Sequence, residues 1–194
     1  MHSLIDLVCG ISWSIVYIVA IAIGLKKSVC CIPSYALCMN FSWELCAVVN
    51  RSLNGTSFST GYVSQLFWLI LDIGVLLTWV RYNHALQFKA KVFRLLFLLF
   101  SVYAVAVFLD EWLVSVFTIN LLMSIEFFVA LRAETIYPSI LVALFKMIGT
   151  FAATILNGLV ISDRFVLWIG GCCLILDIYY FVCLLQKEVT YEKK

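Results

Sequence analysis

The chain has 194 residues, 64% of them hydrophobic and 12% charged, with a formal net charge of +2. A soluble domain of this size cannot cover its surface with so few polar groups, so the composition excludes a free globular protein and makes the bilayer the solvent. The small net charge, with no basic run interleaved with aromatics, likewise excludes a nucleic-acid partner.

Seven stretches reach the roughly 17–22 apolar residues needed to cross a bilayer. They are about 3–24, 32–50, 61–81, 93–109, 112–131, 138–159 and 165–185. The pattern predicts an all-α, seven-transmembrane-helix bundle formed by one domain over residues 1–194. The first apolar run is too long for the core of a cleavable signal and lacks a small-residue cleavage site, so it is expected to be the first span. Asp110 and Glu111 divide the fourth stretch from the fifth, and the two would otherwise read as one. Lys26 and Lys27 follow the first span, Arg81, Lys89, Lys91 and Arg94 the third, Arg132 the fifth, and Lys187, Lys193 and Lys194 the seventh. The alternate connections hold only Arg51 and Arg164, which predicts an outside N-terminus and a cytosolic C-terminus. The 51–60 loop would then face outward, with glycosylation sequons at Asn54 and, at its edge, Asn50. The eight cysteines lie almost wholly in apolar stretches without paired CxxC spacing, where they act as small hydrophobes.

Pro33-Ser34 opens the second span and Pro138-Ser139 the sixth. Leu69-Ile70-Leu71-Asp72 in the third span matches Leu174-Ile175-Leu176-Asp177 in the seventh, and both pairs are 105 residues apart. This spacing predicts a three-one-three parallel repeat, in which a ligand binds near the midplane between the halves.

Asn40, Glu44, Asp72, Asn120, Glu126, Lys146, Asn157 and Asp177 all fall within the spans. An ionised side chain at bilayer depth costs several kcal/mol, so each needs a partner or a function. Polar groups in bundles often only tie helices together. Glu126 and Lys146 lie at matching depths and are expected to form such an ion pair. That leaves Glu44, Asp72 and Asp177 without obvious cations. Burial penalises the charged form of an unpaired carboxyl. An acid that keeps its proton can give it to a substrate, or relay it in a transporter. Asn40, one turn before Glu44, shares its helix face and is expected to orient it. Trp68 precedes Asp72 by four residues and Tyr180 follows Asp177 by three; aromatic faces beside acids in a dry cavity suit chemistry that creates a carbocation. A small-solute or proton-coupled carrier is the alternative, although neither proline breaks a helix and Gly149 stands 105 residues after Glu44.

The run Gly10-Ile11-Ser12-Trp13, Tyr17, Gly24, Pro33, Ala36-Leu37 and Asn40-Phe41-Ser42-Trp43-Glu44 resembles the opening of the small integral-membrane terpene cyclases of meroterpenoid and indole-diterpene pathways, the paspaline-type and pyripyropene-type cyclases. The likeness continues through Leu71-Asp72, Lys146 followed by Gly149, and Leu176-Asp177 with Tyr180, and Asn-x-x-Trp-Glu is its most specific element. The resemblance implies a seven-helix enzyme of secondary metabolism without metal or cofactor. Such an enzyme protonates an epoxide on a prenyl chain attached to an aromatic, polyketide or indole unit, and the alkenes then close into rings. Glu44 and Asp177 map onto the family's two key acids. Asn40 and Asp72 would position or tune them, and Trp13, Trp43, Trp68 and Tyr180 would shield the cation. Lys146 stands where the family pattern has arginine, with Glu126 expected as its compensating partner. The Asp-Asp-x-x-Asp and Asp-x-Asp-Asp signatures of soluble terpene cyclases are absent, in keeping with proton-initiated chemistry. The implied partners are the prenylated epoxide, membrane lipid of the endoplasmic reticulum or a bacterial plasma membrane, and an upstream prenyltransferase and epoxidase.

Overall fold

A computed structural model describes residues 2–54, 60–82, 88–133 and 135–192. The described residues form seven helices: α1 (His2–Lys27), α2 (Ser34–Leu53), α3 (Thr60–Tyr82), α4 (Phe88–Val107), α5 (Trp112–Arg132), α6 (Ile140–Thr154) and α7 (Arg164–Glu192). Each expected span finds its helix. Asp110 and Glu111 belong to a single 3-10 turn between α4 and α5, and α6 runs on into a π-helical segment, Ile155–Val160.

Among the described residues, six helices are long and apolar enough to cross a membrane; α2 is the exception. Asn40, Glu44, Asn50 and Arg51 lower its hydropathy. Its position explains how it carries them: it packs against α3, α4 and α5, and ten of its 20 residues are buried. The outer helices show the opposite bias. Leu66, Phe67, Ile70, Ile73 and Leu77 of α3 and Leu95, Leu96, Leu99 and Phe100 of α4 are exposed, as suits a surface solvated by lipid tails.

The packing pattern has a regular form. α3 packs on α1 and α2, α7 packs on α5 and α6, α1 lies against α6, α2 lies against α5, and α4 docks on α2. Without a hydrophobic drive between helices in lipid, close approach depends on small residues. A Cβ at Gly24 would meet Thr78 at 2.9 Å, and one at Gly149 would meet the Trp13 indole nitrogen at 2.9 Å. These two glycines therefore set the α1–α3 and α1–α6 separations.

Helix ends fix the remaining geometry. Pro33 directly precedes α2 without a side-chain cap, and a helix start leaves amide donors unsatisfied. Glu126 of α5 supplies an acceptor: its Oε1 takes the Tyr35 N–H at 3.0 Å. At α6, Ser139 follows Pro138 and accepts the Val142 N–H at 3.3 Å. The α5–α6 connection lies on the α1–α2 connection, where the Tyr137 N–H donates to the Cys30 carbonyl at 2.8 Å and Lys27 donates to the Tyr137 hydroxyl. Asn50-Arg51-Ser52 lies within α2 rather than at a loop edge. Gly55 and Thr56 of the second sequon, the side chains of Lys89 and Lys187, and Lys193 and Lys194 lie outside the described residues.

Candidate active site

A partly open cavity of about 200 Å³ lies between α1, α2, α3, α5, α6 and the π-helical segment. Helical spacing explains its aromatic wall. Trp13 and Tyr17 are one turn apart on α1, Trp43 is on α2, Trp68 on α3 and Trp112 at the start of α5, and all five line the space. Trp68 is held by a 3.1 Å hydrogen bond from its indole N–H to the Ser14 hydroxyl, and Gly149 gives the Trp13 indole its room.

Of the three acids singled out by sequence, only Glu44 lines this cavity. Glu44 is 4% exposed, and its Oε2 has no hydrogen-bond partner among the described residues. Among the described residues no hydrogen bond joins Asn40 to Glu44. The Asn40 amide instead donates to Asp72 Oδ2 at 2.6 Å and to the Tyr17 hydroxyl at 2.7 Å. An amide nitrogen has two hydrogens, and both are committed there. Asn40 therefore fixes Asp72 and Tyr17, and Tyr17 lines the cavity.

Asp177 lies behind the cavity, and it is not cation-free. Its Oδ1 pairs with Lys146 Nζ at 2.5 Å, with both side chains almost fully buried. Lys146 also donates to the Ser124 hydroxyl at 2.7 Å, and Asp177 Oδ2 accepts from the Thr150 hydroxyl at 2.9 Å. The expected Glu126–Lys146 pair is thereby overturned. Lys146 does reach α5, but at Ser124. Two residues further, at roughly 100° per residue, Glu126 points to the opposite face of α5 and toward the start of α2. Equal depth was satisfied; equal azimuth was not.

Tyr180 does not line this cavity. It is buried away from the cavity, with its ring 5.4 Å from that of Phe127 in an edge-on arrangement. A water-sized gap of about 10 Å³ separates Asn40 and Asp72 from Lys146 and Phe127, so the two polar clusters approach one another behind the wall.

Sequence reasoning passed over Thr150 and did not separate Asn120 from the other intramembrane amides. Thr150 follows Lys146 by four residues, a spacing that places both on one face of α6. It lines the cavity while bonding Asp177, and so connects the ion pair to the space in front of it.

The arrangement is an aromatic-walled chamber with one unpaired carboxyl on its lining and a neutralised acid behind it. The Pyr4-like transmembrane terpene cyclases match the chain over residues 1–118. That part covers α1 to α4 and the start of α5, hence Asn40, Trp43, Glu44 and Asp72, and it ends before Lys146, Thr150 and Asp177. Neither the curated proteins nor the solved structures give a match. A family of cyclases favours an enzyme over the carrier alternative. With more than half its length matched, this multi-pass membrane protein belongs to the Pyr4-like transmembrane terpene cyclases.

Proposed function

We propose that the protein protonates an epoxidised prenyl chain carried on an aromatic, polyketide or indole unit and drives its cyclisation, with Glu44 as the proton donor. The observation that carries this reading is a buried carboxyl, unpaired among the described residues, on the lining of an aromatic cavity. The proton passes from Glu44 to the epoxide oxygen, the C–O bond to the more substituted carbon breaks, and alkene electron pairs close the carbon–carbon bonds. Loss of a proton from the last cation to the Glu44 carboxylate ends the sequence, so the net reaction is an isomerisation. Trp13, Trp43 and Trp68 offer ring faces to the moving cation, each worth about 0.5–2 kcal/mol in a desolvated site. Exclusion of water from the chamber prevents early capture of the cation.

Asp72, held by Asn40, positions the polar floor beneath Glu44. Asp177 acts through Thr150 rather than by contact with substrate. The substrate reaches the site from the bilayer, after a prenyltransferase and an epoxidase have made it, in the endoplasmic reticulum of a eukaryote or the plasma membrane of a bacterium. The orientation read from the basic residues, N-terminus outside, belongs to the same proposal. So does the three-one-three repeat, which the paired packing of α3 on α1 and α2 and of α7 on α5 and α6 supports.

The test uses microsomes containing the full chain and an epoxy-prenyl phenol. Positioned general acids contribute roughly 10²–10⁴-fold, so Glu44→Gln should lower cyclisation by about that factor at matched protein level. Near-normal cyclisation by Glu44→Gln would sink the assignment.

A further inference from the structure

The ion pair behind the cavity dictates which way a neighbouring amide faces. Asp177 is held against Lys146, so its carboxylate accepts hydrogen bonds and donates none. The Thr150 hydroxyl has one hydrogen and gives it to Asp177 Oδ2 at 2.9 Å. Its oxygen can then only accept from its other neighbour. That neighbour is Asn120 of α5, whose Nδ2 lies 3.4 Å from Thr150 Oγ1. Asn120 must therefore turn its NH2 toward Thr150 and keep its carbonyl oxygen for the other side. Asn120 lines the cavity, and Oδ1 is buried without a partner among the described residues.

We propose that Asn120 is a specificity-determining acceptor for a hydrogen-bond donor, a ring hydroxyl or N–H, on the unit that carries the prenyl chain, with its polarity set by Lys146–Asp177 through Thr150. The inference rests on the cyclase reading and adds to it the end of the substrate away from the epoxide. A buried acceptor left unmatched is costly, and a donor from the ligand recovers that cost. An ether or a ketone in the same place faces a carbonyl oxygen and gains nothing. Gln65 of α3 also lines the cavity with an unpartnered Oε1, but no charged pair fixes the direction of its amide among the described residues.

The experiment compares binding of a farnesylated phenol without an epoxide and its O-methyl ether. Both are titrated against the full chain in lipid nanodiscs and followed by quenching of the tryptophans that line the cavity. The wild type should bind the phenol about five- to tenfold more tightly than the ether, the worth of one buried hydrogen bond. Asn120→Leu should bring that ratio to about one while the ether binds as before. Thr150→Val frees the amide to rotate and should also lower the ratio, so it serves if the leucine variant does not fold. Equal binding by the wild type, no binding of the phenol, or a wild-type ratio retained by whichever of these variants folds overturns the proposal. The readout needs no turnover. A preserved ratio in a protein that fails to cyclise an epoxide would count against the cyclase reading alone, and a ratio of one with cyclisation intact would count against Asn120 alone.

Discussion

Lys146→Met tests the ion pair most directly. Lys146 and Asp177 are 1% and 2% exposed and 2.5 Å apart, and Ser124 and Thr150 supply their other hydrogen bonds. Removing one partner of such a buried pair costs about 3–5 kcal/mol, because the other charge is left uncompensated. For a chain of this size each kcal/mol moves the melting temperature by about 2–4 °C. Lys146→Met should therefore lower Tm by about 6–20 °C. The double variant Lys146→Met, Asp177→Asn removes both charges and leaves a carboxamide that still accepts from Thr150, so it should regain most of the loss. Thermal unfolding in detergent micelles, followed by tryptophan fluorescence, measures both. A single-variant loss below about 2 °C, or a double variant no better than the single, would refute the view that mutual compensation holds the pair in place.

Two further outcomes follow from the packing. Gly149→Val should displace Trp13, whose indole nitrogen would sit 2.9 Å from even the first added carbon. Overpacking of this kind costs about 1–3 kcal/mol, and cyclisation should fall although Glu44 is untouched; wild-type turnover with unchanged tryptophan emission would contradict it. Glu126→Ala removes the acceptor at the start of α2 and should cost about 0.5–2 kcal/mol, the range of an N-terminal cap, whereas Glu126→Gln keeps an acceptor oxygen and should lose less. Equal melting temperatures for the two variants would show that the Tyr35 contact does not matter.

The axial features of the bundle were legible in the sequence because bilayer thickness converts directly into apolar run length. Asp110-Glu111 marked the turn between α4 and α5, and both prolines marked helix starts. Rotation about each helix axis was not legible. Glu126 and Lys146 agree in depth, yet Glu126 faces α2 while Lys146 meets Asp177. Asn40 shares a face with Glu44, but i,i+4 spacing states only who is near on one helix. Asp72 and Tyr17, on other helices, take both hydrogens of its amide. Glu44 stood out because a lone acid in an apolar stretch needs explaining. Thr150 did not, because a threonine in a membrane helix can satisfy its hydroxyl on its own backbone.

The saturation of Asp177 has a consequence for the enzyme's survival. A carboxylate beside a carbocation is a nucleophile, and an ester formed with it would end the protein's working life. On the proposed chemistry Glu44 takes a proton back at the end of the sequence, whereas Asp177 has no such step. Here Lys146 engages one oxygen of Asp177 and Thr150 the other, and the residue lies behind the cavity lining. On the proposed chemistry, an acid placed and occupied in this way can shape the field around the cation without being alkylated by it.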